Sequence, residues 1–249
     1  MDRIAPTYRP SEKAVMKQSW RYLSFLHWEV PAETLKPHIP PGLTLDTFEG
    51  RAFIGLVPFT MRGVRPVGFP IVPWLSNFHE TNVRTYVHRE GTDPGVWFFS
   101  LDAANIVAIT IARLLFGLNY QFARMTLGLE ESEGASRIRY ESNRCRPSRP
   151  GPSTRIEVSV VGPVRHAVPG SLEHFLAERY ILYTVRRGRL YSGRVHHPPY
   201  PLQDARCEFL EESLFAASGL VRHGWAPIVQ YSEGVDVEIF SLKSLGIAT

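Results

Sequence analysis

Five polar side chains alternate along one stretch of the chain, in the order Glu80, Asn82, Arg84, Tyr86 and His88. A β-strand has a side-chain period of two, so these residues would share one face while threonine and valine occupy the other. An acid, an amide and a fork-shaped guanidinium on one wall can orient a small carboxylate or carbonyl compound. The alternative is an ordinary solvent-facing strand surface, which is the more frequent setting of a single amphipathic strand.

Two residues outside this stretch could line the same cavity. Arg124 lies in a second alternating strand, from Tyr120 to Leu129, where an arginine is usually solvated. His197 belongs to the segment His-His-Pro-Pro-Tyr-Pro, which directly follows a predicted strand. That segment could gate the mouth of a cavity, or it could be a connection stiffened by proline.

Signatures of metal, nucleotide and hydrolase sites are missing from the sequence. Nine histidines are present, but no HExxH or CxxC motif and no paired metal-ligand spacing accompanies them. The sequence also lacks the GxGxxG, GxxxxGKS/T and GxSxG motifs. We therefore expect no metal site and no cofactor.

The elements that position the polar strand are predicted from the residues that follow it. Val96 to Leu101 is an apolar, aromatic run typical of a buried strand, and Asp102 could cap a following helix. Residues 103–118 contain three polar side chains, which span an arc of about 140° on a helix, so the remaining arc would be buried. Several β-branched residues leave a strand open as the alternative. The segment is too short to span a membrane, which takes about 20 apolar residues.

The remaining chain reads as many short strands, because 19 glycines and 20 prolines among 249 residues predict frequent turns. Residues 1–17 would form an N-terminal arm and residues 18–249 one domain, with a connection at 144–153 between two halves. The hairpin pattern of residues 50–57 is repeated at 188–195, which supports a duplication, although two glycine turns can also converge. A last hairpin is predicted around Ser232-Glu233-Gly234.

The charge pattern limits the class of partner. The formal net charge is +4, and 24 of the 28 basic residues are arginine, but they are dispersed along the chain. We therefore expect no nucleic acid partner. No apolar N-terminal stretch marks a signal peptide, and the two cysteines form no CxxC pair, so a cytoplasmic protein without membrane attachment is expected. Homo-oligomerisation stays open.

Several segments together resemble a known family. Residues 80–87 (Glu-Thr-Asn-Val-Arg-Thr-Tyr-Val), 97–125, 175–183 and 196–202 resemble, in this order, the YqjF-like family of uncharacterised bacterial proteins. The resemblance extends over residues 17–242. It implies the acetoacetate-decarboxylase-like fold, an α+β, β-rich barrel or sandwich of many short strands with a few short helices.

The resemblance implies a fold rather than an activity. Acetoacetate decarboxylase forms a Schiff base through a lysine whose pKa a neighbouring cation lowers. This chain has no lysine between Lys36 and Lys243, so the two adjacent lysines of that enzyme have no counterpart. Schiff-base decarboxylation is therefore not expected, and an enzyme on this fold would be a lysine-independent lyase or hydrolase of a small organic acid.

The resulting hypothesis is a protein that binds a small oxo or carboxylic compound in a barrel pocket beside residues 80–86. Arg84 would anchor the anionic group and Glu80 would act as general acid or base, its pKa raised by burial unless Arg84 holds it ionised. Asn82, Tyr86, Arg124 and His197 would contact the ligand. The alternative is a non-catalytic sensing or structural protein in which Glu80 and Arg84 form an ion pair.

Overall fold

The computed structural model describes residues 1–132, 135–145, 151–222, 224 and 226–247. In this part of the chain, thirteen strands form one hydrogen-bonded sheet. The strands are β1 (Met16–Val30), β2 (Thr44–Leu45), β3 (Ala52–Pro66), β4 (Phe78–Arg89), β5 (Thr92–Ala103), β6 (Tyr120–Ser132), β7 (Ala135–Arg144), β8 (Ser153–Arg165), β9 (Ile181–Arg186), β10 (Arg189–His196), β11 (Leu202–Glu212), β12 (Ile228–Ile239) and β13 (Lys243–Ile247). The helices are α1 (Ala32–Leu35), α2 (Pro73–Ser76), α3 (Ile106–Phe116), α4 (Leu172–Ala177) and α5 (Leu214–Ala217). The predicted β-rich class is confirmed.

The strand pairings close two rings. β5 pairs with β4, β6 and β9, while β12 pairs with β1, β10 and β11. The first ring therefore runs β5-β6-β7-β8-β11-β12-β1-β3-β4, and the second runs β5-β9-β10-β12-β1-β3-β4. Both rings contain the five strands β12, β1, β3, β4 and β5, which we call the shared wall.

One face of the shared wall faces the interior of the first ring, and the other face faces the interior of the second ring. Leu56 and Val83 belong to a core cluster with residues of β7 and β8, in the first ring. Val57 belongs to another cluster, with Tyr180 and with Val195 of β10, in the second ring. Because both faces are covered, the strands of the wall are buried on both sides, and β4 is buried continuously from residue 80 to residue 87.

β1 carries a bulge between Arg21 and Leu26, where its register against β3 shifts. Tyr22 has a φ of 57°, and the side chains before and after it, Trp20 and Phe25, both contact the second ring despite their odd spacing. Opposite this bulge Gly234 has a φ of 135°, and a Cβ there would lie 2.0 Å from the backbone oxygen of Trp20. β12 runs straight through this glycine, so the hairpin predicted around residues 232–234 is wrong: the glycine serves close strand approach rather than a turn. Residue 225 of that prediction lies outside the described residues.

The helix predicted over 103–118 is present as α3, but its cap and its burial differ from the prediction. Asn105, not Asp102, caps it by accepting hydrogen bonds from two backbone N–H groups, and Gly117 ends it with a φ of 65°. One stripe packs on the sheet, and Ile109 is its buried residue. The predicted burial of the whole apolar arc is wrong because α3 covers only one end of the wall. Its exposed apolar residues are Ile106, Val107, Ile111, Leu114 and Leu115.

The N-terminal arm is tied to the rest of the chain. Arg3 binds the carboxylate of Asp46, and Arg9 binds Glu238 of β12. β7 and β8 flank the predicted connection at 144–153 and pair with each other, while its residues 146–150 lie outside the described part. Two pseudo-repeated halves therefore stay a prediction. Among the described residues, no helix has the length and apolar character of a membrane span.

Candidate functional site

The polar residues predicted on one strand face lie on β4 and point into the second ring. Asn82 pairs with Val57 of β3, whose side chain belongs to the core cluster of that ring. The exposed fractions of Glu80, Asn82, Arg84 and Tyr86 are 2%, 5%, 8% and 0%. The shared face is confirmed. The solvent-facing alternative is wrong because the wall is covered on both sides.

Glu80 lies at the end of the wall that α3 covers. Burial raises its pKa to about 8; a hydrogen bond from the Tyr120 hydroxyl to Oε2 (2.9 Å) opposes this, and the Asp102 carboxyl adds to it. At neutral pH the carboxyl is therefore mostly protonated and can donate a hydrogen bond. The predicted ion pair with Arg84 does not form in the described chain, because residues four apart on a strand are separated by about 13 Å.

Arg84 is held at its tip by a backbone carbonyl. Its NH2 group donates to the oxygen of Leu176 (2.9 Å), and the guanidinium carbon lies 5.5 Å from the ring centroid of Phe25. Gly55 makes room for this side chain, since a Cβ there would lie 3.0 Å from the His27 ring and 3.3 Å from Cγ of Arg84. Nε of Arg84 is buried and has no partner among the residues described. The guanidinium thus keeps its Nε–H for another acceptor.

Tyr86 connects the wall to α4. Its hydroxyl donates to the oxygen of Leu176 (2.7 Å), so its 2.6 Å contact with Nε2 of His27 requires the hydrogen to be on that nitrogen. Burial, together with the charges of Arg84 and Arg179, holds the pKa of His27 well below its usual value. The imidazole is therefore neutral, and its Nδ1 is a buried acceptor without a partner in the described chain.

A second buried cation, not predicted from the sequence, lies beside Tyr86. The guanidinium carbon of Arg179 is 4.7 Å from the Tyr86 ring centroid and 4.3 Å from that of Phe175. NH1 of Arg179 donates to Oδ2 of Asp46 (2.8 Å), and Arg3 donates two further bonds to the same carboxylate. Burial lowers the pKa of Arg179 to about 10, so it stays charged at neutral pH. The pair joins positions 133 apart, and no local spacing in the sequence signals it.

His197 and Arg124, the other predicted contacts, lie in different places. His197 is buried in the second ring and stacks on Tyr180, with ring centroids 4.4 Å apart. Its Nδ1 donates to the oxygen of Pro198 (2.8 Å), which leaves Nε2 as a buried acceptor, and burial lowers its pKa to about 4. Arg124 is exposed on β6, a strand of the first ring alone, and the structure does not bring it to the second ring.

The second ring gathers several buried polar atoms that have no protein partner among the described residues. Leaving one such group unsatisfied costs about 1–3 kcal/mol, and native interiors rarely keep them. These atoms are unsatisfied hydrogen-bonding groups on the residues that face the interior of the second ring. The members of this cluster are Trp20 Nε1, His27 Nδ1, Asn82 Oδ1, Arg84 Nε, His197 Nε2, Ser232 Oγ and both side-chain amide atoms of Gln230.

Two clefts open away from this cluster. One, of about 360 Å³, lies beside Thr60 and His79, and the other, of about 230 Å³, lies beside Trp97 and Asn119. Neither is lined by residues 80–86, so the pocket predicted there is not one of these clefts. The described chain contains no group of three or more His, Cys, Asp or Glu residues that could hold a metal. All four lysines are exposed.

Comparisons with known proteins fit this architecture. The DUF2071 family, described as an uncharacterized conserved protein, matches residues 17–236. The uncharacterized protein YqjF of Bacillus subtilis (strain 168) is 34% identical over 229 residues, which cover 92% of each chain.

Solved structures with the same fold are acetoacetate-decarboxylase-like. The enduracididine biosynthesis enzyme MppR, complexed with pyruvate, has a TM-score of 0.64 at 13% identity and covers 96% of this chain and 93% of its own. An acetoacetate decarboxylase-like enzyme from Sphingomonas wittichii RW1 has the same score and identity, with 94% of each chain covered. Acetoacetate decarboxylase from Legionella pneumophila has a TM-score of 0.61 at 11% identity, with 98% and 94% covered. The predicted fold is confirmed.

Proposed function

We propose, from the premise that this chain belongs to the DUF2071 family and has the acetoacetate-decarboxylase-like fold, that it binds a small oxo or carboxylic compound inside the second ring. The observation that carries the proposal is the cluster of buried, unpartnered polar atoms on the inner face of that ring. A structural neighbour, MppR, was solved with pyruvate, a compound of this class.

The polar groups suit an organic acid because donors and acceptors alternate along β4. Nε–H of Arg84 would donate to the carboxylate of the ligand, and Oδ1 of Asn82, the next residue on that face, would accept a hydrogen bond from a hydroxyl group of the ligand. Glu80 lies about 13 Å from Arg84 along the strand. Its protonated carboxyl would therefore donate to a carbonyl oxygen, or transfer its proton there as general acid, in an acid whose chain is long enough to span that distance. Tyr86 and His27 fix the position of this wall, and His197 faces the same interior from the loop after β10.

A structural role is the second candidate, and one observation favours it. Arg84 and Tyr86 both donate to the oxygen of Leu176, so the two side chains hold α4 against the wall. In that case the polar groups stabilise the second ring and bind no ligand.

We also propose that the protein is cytoplasmic. Cys145 and Cys207 are free thiols, which suits the reducing cytoplasm.

The first test is a thermal-shift screen with 2-oxo, 3-oxo and hydroxy acids of increasing chain length. A ligand at 100 times its Kd adds about 2.7 kcal/mol of stability, which corresponds to roughly 5–10 °C in a chain of this size. Asn82→Ala and Arg84→Lys should each reduce the shift, while Arg124→Ala, an exposed arginine outside the ring, should retain it. Asn82→Ala is the safer variant because Oδ1 of Asn82 has no partner in the described chain.

The second test asks whether a bound acid is changed. NMR spectra of the ligand would be followed over hours with the wild-type chain and with Glu80→Gln. The catalytic form of the proposal is supported if the wild type converts the acid while Glu80→Gln binds it without converting it. Binding without change in either chain supports a sensing protein. If no acid produces a thermal shift, the structural role is the remaining candidate.

A further inference from the structure

A cleft of about 360 Å³ opens at the ends of β3 and β4, away from the second ring. Consecutive strand residues point to opposite faces, so His79 projects to the first-ring side of the wall while Glu80 projects to the second. The cleft is therefore separate from the site proposed above. Its volume lies in the range of small-molecule pockets, about 300–1,000 Å³. The cleft is lined by Thr60, Arg62, Asn77, Phe78 and His79.

A chain of hydrogen bonds fixes the chemistry of His79. The buried hydroxyl of Tyr140 lies 2.7 Å from Oγ1 of Thr60, its one hydrogen-bond partner in the described chain, so it donates its hydrogen there. Thr60 must then donate its own hydrogen to Nδ1 of His79, across 2.9 Å. The hydrogen of the neutral imidazole consequently sits on Nε2. That nitrogen bonds no described residue and is not enclosed, so it presents an N–H donor to the cleft.

Arg62 adds a positive charge to the same cleft. Its guanidinium carbon lies 5.6 Å from the ring centroid of Tyr22, and within the described residues no carboxylate forms a salt bridge with it. Tyr22 adopts a left-handed backbone conformation, φ 57°, which is uncommon for a bulky residue and places its ring beneath this arginine. Burial and the charge of Arg62 both lower the pKa of His79, so the imidazole is neutral when it faces the cleft.

We propose that this cleft is a second binding site, for a small oxyanion held by the guanidinium of Arg62 and by Nε2–H of His79. Both groups donate, and no carboxylate of the described residues lines the cleft to oppose an anion. Tyr140 and Thr60 are positioning residues that hold the Nε2–H tautomer. A carboxylate and a phosphate present the same oxygens to these donors, so the two sources are separated by experiment.

The test is a titration of the chain, labelled with ¹⁵N in its histidine rings, with inorganic phosphate and separately with acetate. We expect either anion to shift the NMR resonances of the His79 ring nitrogens. The anion that binds more tightly identifies the ligand class. Arg62→Gln should weaken binding at least about tenfold, the loss expected for one charge-assisted hydrogen bond. Arg124→Gln, which removes an exposed arginine on β6, is the control for nonspecific charge. It should change the affinity less than twofold, because Arg124 does not line the cleft.

Thr60→Val tests the positioning chain separately. Without the threonine hydroxyl, the ring nitrogens of His79 should report a mixture of tautomers before any anion is added. Unmoved resonances of His79 with both anions, an equal loss of affinity in the two arginine variants, or an unchanged tautomer in Thr60→Val would each overturn the proposal. Asn82→Ala, in the second ring, should leave the titration intact, so failure here and failure of the proposed function are distinguishable.

Discussion

The hydroxyl of Tyr120 donates to Oε2 of Glu80 across 2.9 Å and joins the first residue of β6 to β4. The bond is buried beneath α3, where Tyr120 also packs with Ile109. It opposes, without cancelling, the effect of burial on the pKa of Glu80. The phenol fixes one oxygen of a neutral carboxylic acid, and the other oxygen, Oε1, has no hydrogen-bond partner among the described residues.

Removal of this phenol should raise the pKa of Glu80 further. In Tyr120→Phe the ionised carboxylate loses its hydrogen-bond donor, so the neutral form is favoured more strongly. The loss of one buried hydrogen bond should also cost about 1–2 kcal/mol of stability. The pKa would be measured by ¹³C NMR of the Glu80 carboxyl, and stability by urea unfolding. A lower pKa in Tyr120→Phe would contradict the arrangement described.

The raised pKa of Glu80 predicts a specific dependence of stability on pH. Glu80 ionises near its usual pKa of 4.5 in the unfolded chain and near 8 in the folded chain. Between these values the folded state binds more protons, so the stability contributed by Glu80 is full below pH 4.5 and falls as pH rises towards 8. Relative to Glu80→Gln, which cannot ionise, the wild type should lose up to about 1.4 kcal/mol per pH unit in this window.

Urea unfolding of both chains at intervals from pH 4.5 to 9 measures that difference. The difference between the curves should change steadily up to about pH 8 and then level off. Parallel curves over the whole range would show that Glu80 is ionised in the folded chain, and would remove the protonated acid from the proposed site.

The fold could be predicted from the sequence to the extent that its signals are local. Alternation on β4, the helix within residues 103–118 and the family resemblance each depend on neighbouring residues, and each is confirmed. The hairpin at residues 232–234 failed because Gly234 is explained by the backbone of Trp20, which lies on a distant strand. The predicted burial of the whole apolar arc of α3 was wrong because periodicity shows which side chains share a face, but not what covers them.

The same distinction limits the candidate site. Glu80, Asn82, Arg84 and Tyr86 share a face for reasons of local geometry, so the sequence could place them together. The partner of Glu80 is Tyr120, and it could not be predicted because closure of the first ring brings it there. His27 comes from β1 and Arg179 from the segment just after α4, and only the folded chain joins them to Tyr86.

Removal of one partner from the buried ion pair between Asp46 and Arg179 should strongly destabilise the protein. Asp46→Asn leaves Arg179, which is almost fully enclosed, without its counter-charge, and such losses cost about 3–5 kcal/mol. Arg3→Ala should cost clearly less, because Arg3 is partly exposed and the pair with Arg179 remains. Urea unfolding of the two variants at pH 7 provides the comparison, and equal losses would contradict it.

Acid should remove the difference between the wild type and Asp46→Asn. Burial alone would raise the pKa of Asp46, but the bonds from Arg3 and Arg179 outweigh it and hold the pKa below the usual value of 3.8. The contribution of the carboxylate is therefore present above pH 3.8 and is lost as pH falls through the lower, folded pKa. The stabilities of the two chains should converge there, and a constant difference down to that pH would place the effect elsewhere.

Gly55 provides a test of the space around Arg84. A Cβ at this position would lie 3.0 Å from the His27 ring and 3.3 Å from Cγ of Arg84, closer than ordinary contact, so one of these side chains must move. Gly55→Ala should cost about 1–3 kcal/mol of stability, as overpacking of a filled interior does. It should also weaken the binding of any acid found in the thermal-shift screen. Gly128→Ala on β6 is the matched control, because its Cβ would meet its nearest neighbour at 3.6 Å. We expect the control to bind the acid as the wild type does. Unchanged binding in Gly55→Ala would mean that the ligand does not depend on the position of Arg84.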